Sequence, residues 1–205
     1  MTATPRVTLG AAGLLIGVVV GSLCGVASGL LLLLLEHATR LRLEHPWLVY
    51  GLPLAGLVMG AGYERFGKPI AAGSNLVIDT LYAGGPKLPA RLAPMVLLGT
   101  VMTHLFGGSA GREGTAVQMG AGLADVLAHH VPWGRALRRH FLTAGIAGGF
   151  ASVFGTPLAG TLFALEVVVV GRLEYVALLP ALVAAVVGDA VTRSMGVRHM
   201  AVAAP

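Results

Sequence analysis

Gly107-Gly-Ser-Ala-Gly-Arg-Glu-Gly-Thr-Ala-Val-Gln-Met-Gly120 decides how the chain is read, because it sets an adjacent Arg112 and Glu113 among glycines inside an otherwise apolar sequence. Twenty residues without a formal charge, Leu92 to Gly111, lead into it. Ionisable groups at such depth in an apolar chain point to a functional site. The surrounding glycines predict irregular backbone, which survives in a bilayer only where protein covers it or where it lines a watery cavity. Permeation or coupling is therefore the first functional expectation.

The rest of the chain supports a membrane reading. Hydrophobic residues make up 56% of the 205 residues against 11% charged, and mean hydropathy is +0.82. Val7 to Leu35 is a run of 29 uncharged residues. At about 1.5 Å per residue it exceeds a hydrocarbon core of roughly 30 Å, so a helix there is expected to tilt or to break near its glycines. With only Arg6 before it, this run fits a retained spanning helix better than a cleaved signal. The net charge of +5 comes from arginines spread between apolar runs, the pattern of cytoplasmic loops rather than of a nucleic-acid surface. Arg135, Arg138 and Arg139, and Arg65 with Lys68, are expected to mark such loops. A single cysteine, Cys24, excludes an internal disulfide and a cysteine metal cluster and reads as a helix-packing residue. Gly13, Gly17, Gly21 and Gly25 recur every four residues, which predicts a tight helix crossing.

Along the chain, Glu36 to His45 reads as a polar connection and Pro46 to Tyr63 as the next apolar run. Ser74 and Asn75 are good caps for a short helix that contains Asp79, ends near Ala83-Gly-Gly-Pro86, and is too short to span. Such a half-helix presents free N–H groups and partial positive charge to the membrane interior, where an anion can sit. Leu92 to Phe106 is an oblique span, and Glu113 to Ala128 a second helix with an anion-cradling start. Arg135 to His140 is a polar break, and Phe141 to Leu165 is divided into two helices by Phe154-Gly-Thr-Pro157. Glu174 to Thr192 is the last apolar segment and 193–205 a tail. His104 is expected to pack and donate to a backbone carbonyl, whereas His129, His130 and His140 read as solvated, with no metal-binding spacing. Gln118 and Asp125, seven residues apart, share one helix face that meets a neighbouring helix through polar contacts. The fold class is all-α, a polytopic membrane protein of tilted and broken helices, with residues 1–205 as a single membrane domain.

Gly111-Arg-Glu-Gly-Thr-Ala-Val-Gln-Met-Gly120 resembles the Gly-Lys/Arg-Glu-Gly-Pro signature of the CLC chloride channels and anion/proton antiporters. Phe154-Gly-Thr-Pro-Leu-Ala-Gly-Thr-Leu-Phe-Ala-Leu-Glu166 resembles a later helix pair of that family, and Gly73-Ser74-Asn75 precedes Glu113 as its anion loop precedes its gate. The resemblance covers about Val49 to Arg193. It implies the first of two inverted repeats, with Glu113 as a gating and proton-carrying glutamate. It also implies an anion held near Ser74 or Asn75 and the Gly111, Arg112, Gly114 and Thr115 segment. A carboxylate facing helix amino termini can substitute for an anion, and its protonation would vacate the place.

Three departures qualify the resemblance. The family's anion loop reads Gly-Ser-Gly-Ile-Pro where this chain has Gly73-Ser74-Asn75-Leu76-Val77, so the ligand is Ser74 or Asn75, or Ser74 is simply a cap. Thr115 stands where most members have proline, and both changes look like the fluoride-exporting branch. Glu166 matches the first of a glutamate pair whose second place holds Val167, so the chloride/proton mechanism does not transfer intact. The later anion-coordinating tyrosine has no match between Arg193 and Pro205, so the chain is expected to be an amino-terminal half whose second repeat is absent. The partners implied are an inorganic anion, chloride or fluoride, protons, membrane lipid, and a homodimer mate or second-repeat partner, with no nucleic acid and no cofactor or metal. Residues 158–170 and 175–191 are the dimer faces this implies. The expected location is the cell (inner) membrane. The other reading is a transport-inactive membrane fragment or scaffold acting only with a partner. An enzyme is disfavoured, because no phosphate loop, nucleophile with a base, paired carboxylates or metal ligands are visible.

Overall fold

The structure, a computed structural model, describes residues 6–167 and 175–197. The end of the 158–170 dimer face, Glu174 and most of the tail lie outside the described residues. Eight α-helices and no strand occur among those described: α1 (Arg6–Glu44), α2 (Leu52–Gly62), α3 (Ser74–Ala83), α4 (Leu92–Leu105), α5 (Arg112–His130), α6 (Arg138–Phe154), α7 (Pro157–Glu166) and α8 (Leu178–Ser194). On length and composition, 10–44 and 175–194 can each cross a membrane.

α6 is the hub, packed against α1, α5, α7 and α8. Its sequence explains this: Ala144, Gly145, Ala147, Gly148 and Gly149 are all buried and leave a nearly smooth cylinder onto which neighbours close. On the α5 side a methyl added at Gly120 would land on the carbonyl oxygen of Gly145, and one added at Gly149 on that of Ala116. On the other side α1 lies along α8. A Cβ at Gly21 would sit 2.7 Å from Ala184 O, and one at Gly25 2.6 Å from Gly188 O. The four-residue glycine repeat thus makes the crossing its spacing predicts. Cys24 is buried with it, its Sγ 3.6 Å from Gly145 O.

The breaks fall where the turn residues place them. α6 stops at Gly155, whose φ of +69° and N–H to Ala151 O (2.7 Å) form a left-handed C-cap. α7 restarts with Pro157 at its first position, which needs no N–H partner there. The first helix differs from expectation. α1 neither breaks at its glycines nor ends before Glu36, but runs unbroken to Glu44. The glycines face α8, so packing replaces the side chains they lack, and Glu36 with Arg40 at 3.2 Å adds an i,i+4 pair on the polar turn. After it come a 3₁₀ turn, Pro46–Gly51, and then α2, which leads into a π-helical turn over Tyr63–Gly67.

Two further expectations need correction. Arg138 does not lie on a solvated loop. It starts α6 and is bound to Asp125, and His129 is half-buried with its ring against Asp125 O at 2.7 Å rather than solvated. The Arg138 partner lies on the preceding helix, beyond what local spacing shows, whereas His129 turns back along its own helix to the residue four before it. His104 does pack as expected, with Nδ1 2.8 Å from Thr100 O.

Candidate functional site

The beginnings of α3 and α5 meet. α5 starts from Gly111, in extended conformation at φ −70° and ψ 135°, so Arg112, Glu113 and Gly114 fill its first turn without a side-chain cap. Their N–H groups are left without intrahelical acceptors, and the helix dipole concentrates positive potential there. Glu113 folds back onto this end: a Cβ at Gly111 would lie 3.3 Å from its Oε2.

α3 starts from Gly73, whose φ of +59° and ψ of −128° lie outside the range open to other residues. Ser74 is therefore the first helical residue and makes no capping bond, contrary to its expected role as a cap, and Asn75 does not cap either. The chain turn consumes part of this end, because Asn75 N–H donates to Ala72 O (3.1 Å) and Leu76 N–H to Gly73 O (3.2 Å). The Ser74 hydroxyl instead accepts from Gln118 Nε2 at 3.3 Å. It also lies 3.4 Å from where a Cβ at Gly114 would stand, so a side chain there would crowd the junction.

Beside this junction is an open cavity of about 350 Å³. Gly73 of the α3 start and Gly111, Gly114, Thr115 and Gln118 of the α5 start form one wall, with Tyr63, Thr100 and Thr103 opposite or alongside. Thr115 Oγ1 is 2.7 Å from Thr100 Oγ1 and 3.2 Å from Gly111 O, and both threonines are buried. The structure thus brings Gly111, Gly114 and Thr115 to the cavity wall with Ser74 against Gly114, whereas Glu113 is exposed beside Gly111 and is not among the residues that line the cavity. Arg112 turns the other way. It lines a second groove, of about 990 Å³, with Glu36, Thr39 and Arg40 of α1, His104, and Val153 and Phe154 at the end of α6. Asn75 is exposed and is not part of the cavity wall. Glu166 is exposed at the last residue of α7.

Gln118, Thr100, Thr103 and Tyr63 were not legible as site residues. Gln118 carries a signal in its spacing, one turn after Gly114 on the same face of α5. Thr100 lies on another helix, and nothing local links it to Thr115.

Below the junction a second knot fixes the geometry. The Asp125 carboxylate accepts from Leu88 N–H (2.7 Å) and from Arg138 Nε and Nη2 (2.5 and 3.0 Å). Arg138 also donates to Gly85 O (2.6 Å) and Pro86 O (2.8 Å), so the loop leaving α3 is tied to both α5 and α6. The expected polar face of Gln118 and Asp125 is thus in use at both ends.

The chain is similar to known proteins in sequence and in fold. A family model described as voltage gated chloride channel matches residues 55–205. The chain is 55% identical over 180 residues to a chloride/fluoride channel protein of Pseudomonas syringae pv. tomato, covering 88% of this chain and 40% of that protein. It is 34% identical over 165 residues to the H(+)/Cl(-) exchange transporter ClcA of Cronobacter sakazakii, 71% of this chain and 35% of that one. A crystal structure of a CLC-type fluoride/proton antiporter superposes with a TM-score of 0.91 at 36% identity, over 100% of this chain and 51% of that chain. The chain therefore spans about half the length, or less, of the proteins it matches. With the family model reaching across α2 to α8 and the broken-helix fold reproduced throughout, the chain belongs to the voltage-gated chloride channel (CLC) family.

Proposed function

We propose that this chain is the amino-terminal half of a CLC-type anion transporter of the cell membrane, with Glu113 as its gate and Ser74 as an anion ligand. The observation that carries it is the meeting of the α3 and α5 starts at Ser74 and Gly114, with Glu113 in the first turn of α5. An ionised Glu113 occupies the positive end of α5 as an anion would. Protonation removes that attraction and lets an inorganic anion take the place, so anion and proton compete for one site and their movements are linked. Arg112, facing the larger groove, acts through its field rather than by contact. Ser74, and not Asn75, faces the junction.

Fluoride is the preferred substrate over chloride. The relative at 55% identity is named for both anions, and the crystallised relative is a fluoride/proton antiporter. Thr115 at the start of α5 and Ser74-Asn75-Leu76-Val77 at the start of α3 both depart from the chloride pattern. The remaining ligands come from a second-repeat partner, and the working unit is a dimer.

The test is efflux from liposomes loaded with fluoride or chloride, with proton movement followed at the same time. The 205-residue chain is reconstituted alone and together with the remaining half of the Pseudomonas syringae relative. Fluoride efflux that carries protons, and loses that coupling in Glu113→Gln, is the expected result. Coupling that survives Glu113→Gln removes Glu113 as the gate. Silence in both preparations favours the scaffold reading.

A further inference from the structure

The Thr100 and Thr115 hydroxyls have two protons between them and three short contacts: Thr100 Oγ1 to Val96 O at 2.8 Å, Thr115 Oγ1 to Gly111 O at 3.2 Å, and the hydroxyls to each other at 2.7 Å. One contact must always lack a proton. Both carbonyls stand four residues before a helical N–H, so they keep a backbone partner when a hydroxyl turns away. The pair is therefore free to reorient at little cost. If Thr100 donates to Thr115, the Thr115 proton rests on Gly111 O and can turn from that carbonyl to an acceptor in the cavity that both residues line. A hydroxyl that accepts one hydrogen bond while donating another is a stronger donor, more so in a buried setting.

The same arrangement occurs one turn away. Gln118 Nε2 donates to Ser74 Oγ at 3.3 Å, which leaves the Ser74 proton uncommitted. Gly114, next to Ser74 Oγ, adds no side chain there. Thr103, by contrast, donates to Gly99 O at 2.8 Å and has no second hydroxyl behind it.

The geometry points to Thr115 as a specificity-determining donor, backed by Thr100, that offers one polarised hydroxyl to a small hard anion in the cavity at the start of α5. This rests on the proposed transport function and deepens it. A compact anion such as fluoride gains more than chloride from a short O–H donor, because charge-assisted hydrogen bonds strengthen as they shorten. Threonine at position 115 is then a selectivity element, and its partner in α4 is part of it.

Fluoride binding and transport are measured for Thr115→Val, Thr115→Ser and Thr100→Val. The chain is co-reconstituted with the remaining half of the Pseudomonas relative, and binding is read from ¹⁹F resonance broadening of added fluoride. Thr115→Val keeps the shape and loses the proton, so fluoride affinity is expected to fall about tenfold and chloride flux by a smaller factor. Thr115→Ser restores selectivity. Thr100→Val gives a smaller loss, and none further once Thr115 is Val. Equal losses for both anions, or an unchanged fluoride-to-chloride ratio in Thr115→Val, overturn the assignment. If the ratio is unchanged while Glu113→Gln still uncouples protons, the transport reading stands and only the selectivity role falls. If the parent chain binds and moves neither anion, both fall.

Discussion

Asp125 has no exposed surface, and its carboxyl group is held by three hydrogen bonds where α5 meets the start of α6. Its oxygens are shared by Leu88 N–H and the Arg138 guanidinium, whose other N–H groups close on Gly85 O and Pro86 O. Removing Asp125 leaves Leu88 N–H without its acceptor and the half-buried Arg138 guanidinium with carbonyls alone. Asp125→Ala is therefore expected to cost about 1–3 kcal/mol and to lower the thermal unfolding midpoint in detergent. Asp125→Asn, which still accepts from Leu88, should lie between it and the parent. A midpoint unchanged in Asp125→Ala would show that the knot holds nothing. Half of this knot was legible: the spacing of Gln118 and Asp125 put both on one face of α5. Arg138 was not, because it sits 13 residues on, across a turn, and reads locally as one of three arginines in a solvated loop.

At the scale of elements, the crossing of α1 and α8 depends on absent side chains. The Cβ of any other residue at position 21 would stand 2.8 Å from Ala184 Cα, against backbone that cannot step aside. Gly21→Leu is expected to force the two helices apart, at a cost of about 1–3 kcal/mol or more, seen as a lower unfolding midpoint and a broadened size-exclusion peak. Gly56→Leu, on α2 with open space around it, is the control that should change neither. The four-residue repeat makes this contact legible in the sequence, as Gly155 and Pro157 do for the break between α6 and α7. The continuity of α1 through Glu36–Glu44 was hidden, because charge ends a membrane run but need not end a helix.

For the whole molecule, α3 and α4 are clasped to α5 by Ser74–Gln118 and Thr100–Thr115, and the loop between them is tied to Asp125 of α5 and Arg138 of α6 through Leu88, Gly85 and Pro86. The fold and the placing of Glu113 were legible from its motif, whereas the cavity wall was not, since it is assembled from residues far apart in the chain. The exposed Gly107 and Ser109 precede α5 in a loop that a second-repeat partner is expected to cover. Ser109→Cys provides a test, because Cys24 is buried and contributes little background. A membrane-impermeant thiol reagent should label Ser109→Cys in the chain alone and label it several-fold more slowly after assembly with the remaining half of the Pseudomonas relative. Equal rates in the two preparations would mean that the loop is not an interface.

Where α5 and α6 touch at Gly120, Gly145 and Gly149, main chain rests on main chain, with no cushion of side chains between them. Such a joint has no slack: turning α5 about its axis would drive a carbonyl into the neighbouring backbone before the first residue had moved a useful distance. The helix bearing Glu113 is in effect a fixed post. What can swing at its end is the exposed Glu113 side chain alone, by rotamer exchange on the nanosecond scale of exposed side chains rather than the slower scale of sliding helices.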